Sequence, residues 1–200
     1  TPNYNPWDQR LCLVPNADLF ESIKSGKAEV VTAEIDQITE SGIRLKNGDE
    51  LAADIIVLAT GLKLEVLAGV PFTVDGEAVD FSKQFTYKGM MYSGVPNLAN
   101  TFGYVNASWT LRADLTSEWV CRLIEHMKKS GATQVTPVLR AEDQGMQTLP
   151  WIADFPAGYM QRVMHLFPQQ GEGPWKNTQN FAIDKKMIRN APVADSALVF

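Results

Sequence analysis

Residues 54–58 read Asp-Ile-Ile-Val-Leu and run without interruption into Ala59-Thr60-Gly61. Four successive aliphatic side chains cannot divide a strand into a polar and an apolar face, so a strand over Ile55 to Leu58 must be covered on both sides. Strands of that kind belong to the interior of layered α/β domains rather than to a solvated sheet face. The glycine just beyond brings backbone close to something that a side chain would block. The glycine-rich unit that would complete such a site, strand-Gly-x-Gly-x-x-Gly-helix, occurs nowhere in the 200 residues.

Upstream of the aliphatic run the pattern has period two. It is rich in β-branched residues from Val30 to Thr39, then passes through Ser41-Gly42, Ile43-Arg44-Leu45 and Asn47-Gly48-Asp49. Ser-Gly and Asn-Gly between short alternating runs are hairpin chemistry, because tight turns there need positive φ. These residues predict a three-stranded antiparallel meander feeding the buried strand. Ahead of the meander, Asp18 suits the N-cap of a short helix over Leu19 to Ser25, with Leu19, Phe20 and Ile23 on one face and Gly26 as its stop. Residues 2–7 are turn-prone and aromatic, which suits an ordered loop.

Downstream of Leu62 a long irregular stretch rich in Gly, Pro and aromatics reaches Leu98, and long loops in compact domains usually have a function. Leu98 to Phe102 reads as a strand. From Ser108, residues Trp109, Leu111, Leu115, Trp119, Val120, Leu123, Ile124 and Met127 recur at helical spacing, and Gly131 closes the segment. A shorter helix is expected from Pro156, presenting Tyr159, Val163, Met164 and Phe167. The tail from Ala191 to Phe200 is apolar but short.

The chain carries 18 basic and 23 acidic residues, a formal net charge of −5, with no basic block, so nucleic-acid binding has little electrostatic support. No apolar run approaches the about 20 residues that cross a bilayer, so no transmembrane segment is expected. Cys12 and Cys121 have no CxxC spacing and read as free thiols in a reducing, cytoplasmic setting, behaving as small buried hydrophobes. His126 and His165 lack acids or cysteines at ligand spacing, so no metal site is expected. No Gly-x-Ser-x-Gly elbow and no phosphate loop is present, which removes the usual support for hydrolase and NTPase readings.

Two places carry chemistry. Arg10, in Pro6-Trp7-Asp8-Gln9-Arg10, is a permanent cation on a loop, suited to stabilising an anion that develops during reaction. It is equally suited to a structural pair with Asp8 or another acid. Gly103 to Thr110 leads into the long helix, whose N-terminal N–H groups and positive dipole end can hold an electron-rich ligand atom. Ordinary capping by Asn106 or Ser108 explains the same residue types. Gly173-Pro174-Trp175-Lys176-Asn177 and Gln179-Asn180-Phe181 either line a pocket or anchor a loop through the tryptophan.

Taken in order, Tyr4 to Arg10, Asp54 to Gly61, Tyr87-Lys88-Gly89-Met90-Met91, Gly103 to Thr110 and Glu118 to Leu123 resemble the C-terminal part of a flavin-containing, Baeyer–Villiger-type monooxygenase. The likeness is to the bacterial branch that includes the ethionamide-activating enzyme, and it thins after Gly131. It implies an α/β fold: the C-terminal part of a flavoprotein with two dinucleotide-binding domains, here an antiparallel meander, a buried strand and a long helix. Residues 1–57 would finish the NADPH-binding domain, Ala59-Thr60-Gly61 would be the hinge, and residues 58–200 would complete the FAD-binding domain.

By the same resemblance Arg10 stabilises a flavin C4a-peroxide and the oxyanion formed when a ketone is attacked, or assists oxygen transfer to sulfur. Thr60 and Gly61, together with Asn106, Ala107, Ser108 and Trp109, contribute to cofactor binding. Gln9 stands where some relatives carry a lysine facing the NADP phosphate. FAD and NADPH would both require an N-terminal portion of the same enzyme, which carries the glycine fingerprints, and this chain alone is expected to be inactive. Two other readings stay open: a stand-alone non-catalytic binding module, in which the aliphatic strand must be covered within the chain, and a flavin reductase of the same superfamily.

Overall fold

In the computed structural model, residues 4–5 and 12–200 are described, and they fall into two compact units, Thr1–Leu62 and Lys63–Phe200.

In the first unit helix α1 spans Asp18–Lys24. Its N-cap is Ala17 in a left-handed conformation, so Asp18 begins the helix instead of capping it, and Gly26 (φ 72) follows its end. Strands β1 (Ile35–Thr39), β2 (Gly42–Leu45) and β3 (Glu50–Ala52) form the expected antiparallel meander in the order β1-β2-β3. The first hairpin turns on Glu40-Ser41, pairing Thr39 with Gly42. Gly42 is required by proximity: a Cβ there would lie 2.0 Å from the Leu51 carbonyl oxygen on β3. In the second turn Asn47 Oδ1 accepts the Asp49 N–H at 3.1 Å, and Gly48 takes φ 94. Cross-strand Arg44 and Glu50 pair at 3.0 Å.

The aliphatic run does not form the buried strand its composition demands. Residues 53–62 are irregular, and Ile55, Val57 and Leu58 are 83%, 82% and 75% exposed. A strand needs a neighbouring strand for its backbone groups and apolar layers for its side chains, and the described residues of this unit supply neither. Period-two alternation also runs past its strand, since β1 begins at Ile35 and Val30 and Val31 are exposed.

The second unit contains nearly all of the core. Short hairpins β4–β5 (Thr73–Val74, Glu77–Ala78) and β6–β7 (Thr86–Tyr87, Met91–Tyr92) occupy the stretch read as irregular. The second hairpin turns tightly through Lys88 (φ 49) and Gly89 (φ 66). Leu98 to Phe102, expected as a strand, forms none, and its Asn100 N–H goes to the Met90 carbonyl at 2.8 Å. Helix α2 (Trp109–Ser130) ends on Gly131 at φ 75, as expected. Strand β8 is Thr136–Pro137 and β9 is Leu149–Pro150. The helix expected from Pro156 is a single turn, α3 (Gly158–Gln161), followed by a 3-10 turn at Met164–Leu166. Strand β10 (Gln169–Gln170) pairs with β9, helix α4 is Phe181–Asn190, and β11 (Leu198–Val199) pairs with β8.

Leu115, Trp119 and Leu123 of α2 pack with Tyr87, Trp175 and Ile188 in the main core. Tyr87 meets the two tryptophans at centroid distances of 6.1 and 5.7 Å. A second cluster gathers Trp151, Phe155, Met160 and Phe167, with Phe102 against it. Met90 and Met91 are fully buried, so the methionines of that hairpin serve packing. Cys12 and Cys121 are free, as expected, but exposed and not buried. None of the described helices is long and apolar enough to cross a membrane.

Candidate functional site

The approach to α2 is built from a few fixed contacts. Tyr104 is buried and donates its hydroxyl to Asp184 Oδ2 at 2.8 Å. The Val105 N–H donates to Gln179 Oε1 at 2.9 Å. Asn106 is exposed, Ala107 half-buried, and Ser108, extended at φ −62 and ψ 135, is the N-cap of α2. The Ser108 side chain does not cap the helix N–H groups; its hydroxyl instead bonds the Thr110 hydroxyl at 2.7 Å. The capping alternative is therefore not realised. With no cap from Ser108 and no acidic residue in its first turn, the 22-residue helix does not itself compensate its positive end.

Trp109, half-exposed, folds back over this turn. Its indole lies against Gly103 so closely that a Cβ there would sit 2.0 Å from the ring. Phe102 buttresses it at a centroid distance of 4.9 Å and meets Trp151 at 4.4 Å. The result is an aromatic wall beside exposed, uncompensated helix N–H groups, a combination suited to a flat, electron-rich ligand.

Behind the wall lies a buried ionic network. Arg112 Nη1 donates to Asp184 Oδ2 at 2.7 Å, and both side chains are almost wholly buried. Asp184 Oδ1 accepts the Thr178 hydroxyl at 2.6 Å, and Arg112 Nη2 donates to the Lys88 carbonyl oxygen. Burial, joined by the bond to Asp184, pushes the Tyr104 phenol up to about 12, so it stays protonated and donates. The buried Lys88 ammonium pairs with Asp195 at 2.9 Å, and Asp195 also accepts the Tyr87 hydroxyl at 2.7 Å. Burial works to raise the Asp195 carboxyl, but the Lys88 and Tyr87 bonds outweigh it and hold it below the usual carboxylate range.

Of the site residues expected from sequence, Asn106, Ala107, Ser108 and Trp109 come together in one turn. Thr60 and Gly61 lie in the other unit and are exposed; Gly61 has φ 95, and nothing stands within 4 Å of where its Cβ would be. Gln9 and Arg10 lie outside the described residues. Sequence reasoning missed Arg112, Asp184 and Lys88. Arg112 was within reach, because 112, 115, 116, 119 and 123 share one helical stripe. Asp184 was hidden by an unrecognised α4, although Asn180 caps it through the Ala182 and Ile183 N–H groups.

The whole chain is similar to FAD-containing monooxygenases. It is 48% identical over 200 residues to the FAD-containing monooxygenase EthA of Mycolicibacterium smegmatis. It is 49% identical over the same length to EthA of Mycobacterium tuberculosis, and 44% identical over 201 residues to AlmA of Acinetobacter baylyi, named a probable FAD-binding monooxygenase. Each alignment covers 100% of this chain and 40% of the relative. No protein-family model matches the sequence, and no solved structure matches it. The resemblance read from the residues is thus to proteins whose names carry FAD and monooxygenase, and this chain spans two fifths of their length.

Proposed function

We propose that this chain is the C-terminal portion of an FAD- and NADPH-dependent monooxygenase that inserts oxygen into ketones or oxidises sulfur. The observation that carries the reading is the helix start Asn106–Trp109, with its uncompensated N–H groups and aromatic wall, in a chain similar from end to end to FAD-containing monooxygenases. The exposure of Ile55, Val57 and Leu58 supports it, since these residues then pack on protein that this segment does not contain.

The residues fit one part of FAD and not another. The α2 N-terminus accepts an electron-rich ring edge, and Trp109 offers a ring face beside it. The sequence has no Gly-x-Gly-x-x-Gly loop to cradle a pyrophosphate, so the N-terminal portion supplies that contact. Bound flavin, reduced by NADPH, supplies the oxygen-activating chemistry. Arg10 presents a permanent cation to negative charge developing on substrate oxygen, and Gln9 takes the sequence position at which some relatives carry a lysine for the NADP phosphate. Thr60 and Gly61 form the crossing between the NADPH-binding part, residues 1–57, and the FAD-binding part, residues 58–200. The 200 residues alone are inactive, and the enzyme works in the cytoplasm.

The test is turnover of the full-length protein loaded with FAD and supplied with NADPH, oxygen, and either a cyclic ketone or a thioether. Ester or sulfoxide formed in step with NADPH oxidation is expected. A protein that binds FAD and oxidises NADPH but transfers no oxygen to either substrate overturns the reading in favour of a reductase.

A further inference from the structure

We infer that Asp184 is a positioning residue for the start of α2: through Tyr104 and Arg112 it sets where the Gly103–Trp109 segment stands. The inference rests on the reading of that segment as the one bordering flavin.

The main-core contacts of α2 lie beyond its first turn, whose Trp109 packs on the entering segment itself at Gly103 and Phe102. Leu115, Trp119 and Leu123 hold the body of the helix, beginning more than a turn beyond Trp109. Arg112 is the first buried residue of α2, and it ends on Asp184 Oδ2 at 2.7 Å. The chain entering the helix ends on the same oxygen, because the Tyr104 hydroxyl reaches Asp184 Oδ2 at 2.8 Å. One carboxylate atom therefore ties the backbone before the turn to the helix after it. Asp184 is itself held in place, since Oδ1 accepts the Thr178 hydroxyl at 2.6 Å and its N–H donates to the Asn180 carbonyl at 2.9 Å. Gln179 takes the Val105 N–H from the same side, so residues 178–184 grip the segment at 104, 105 and 112. Asn106 to Trp109 stand between those grips.

The network does not duplicate ordinary helix packing. Helix α4 is attached to the middle of α2 elsewhere: Arg189 pairs with Glu118 at 2.8 Å, and Arg122 donates to the carbonyls of Ile188 and Ala191 at 2.7 and 3.0 Å. Those contacts hold the two helices together whatever happens at Asp184. Arg112 also binds the Lys88 carbonyl, fixing the other end of the guanidinium, so the position of Asp184 is transmitted to Tyr104 rather than absorbed by movement of the arginine.

The experiment uses the full-length, FAD-loaded protein carrying 5-fluorotryptophan. The Trp109 resonance is identified by its loss in Trp109→Phe. Tyr104→Phe removes one hydroxyl and leaves the ion pair intact, so it reports even where Asp184→Asn fails to fold. Tyr104→Phe is expected to shift or broaden the Trp109 signal, to leave those of Trp119 and Trp175 in place, and to lower kcat for oxygen transfer on the order of tenfold with KM for NADPH unchanged. Glu118→Gln removes the charge from another contact between the same helices, the pair with Arg189, and is expected to change none of these. A Trp109 signal that stays fixed in Tyr104→Phe, or moves equally in Glu118→Gln, overturns the inference. A Trp109 signal that moves while FAD content and turnover hold supports the positioning role and refutes only the placement of flavin at this turn.

Discussion

The indole of Trp109 occupies the space where Gly103 would carry a side chain, within 2.0 Å of the Cβ position. Any residue other than glycine at 103 must push the ring off the turn. Gly103→Ala is expected to destabilise the second unit by about 1–3 kcal/mol through overpacking, with Trp109 driven outward. Urea unfolding measures the loss, and Trp109→Ala in the same background should recover much of it, because the two residues share one contact.

The Arg112–Asp184 pair makes a contrasting prediction. Arg112→Met leaves a buried carboxylate without its counter-ion and is expected to cost about 3–5 kcal/mol, whereas the double change Arg112→Met, Asp184→Leu should lie much nearer the parent. A double-mutant cycle by urea denaturation separates the terms. Equal losses in the single and double variants would show that the guanidinium acts chiefly through Lys88.

Acid sensitivity follows from Asp195. Its folded carboxyl lies below the ordinary value, so its stabilisation is complete above an unfolded pKa of about 3.9 and is lost as pH falls from there through the folded pKa. Asp143, held well below the carboxylate range first by its bond to Arg140, has the same sign. Unfolding followed between neutral pH and pH about 2 should show stability dropping below pH about 4. Asp195→Asn should flatten part of that drop. An unchanged acid limb would remove Asp195 from the account.

The exposed aliphatic run gives a prediction that depends on context. Val57→Ser should leave the stability of the 200-residue chain nearly unaltered, because the side chain is already 82% exposed. In the full-length protein the same change should cost about 1–3 kcal/mol, the loss expected when a buried apolar residue becomes polar. Differential scanning of both lengths compares the two.

Local signals were the legible part of the sequence. Asn47-Gly48 and Ser41-Gly42 marked the meander because turn chemistry depends on adjacent residues, and Gly131 marked the end of α2 for the same reason. The aliphatic run of 55–58 failed as a strand because pairing is a property of neighbours, not of the run itself. Leu98 to Phe102 failed likewise: the Asn100 N–H goes to the Met90 carbonyl, and Phe102 goes to aromatic packing. The helix start at Asn106–Trp109 was visible as a motif, but Arg112, Tyr104 and Asp184 were not visible as a set, since 72 residues separate the arginine from its carboxylate. Only the fold brings a stripe on one helix to the first turn of another.

The most direct test of the central claim is the FAD affinity of the full-length protein carrying Ser108→Glu. If the α2 N-terminus borders the flavin ring, an added carboxylate there neutralises the helix end and repels the electron-rich edge, and FAD affinity should fall on the order of tenfold with the fold retained by circular dichroism. FAD bound in full amount and with undiminished affinity in that variant would contradict the placement of the cofactor at Asn106–Trp109.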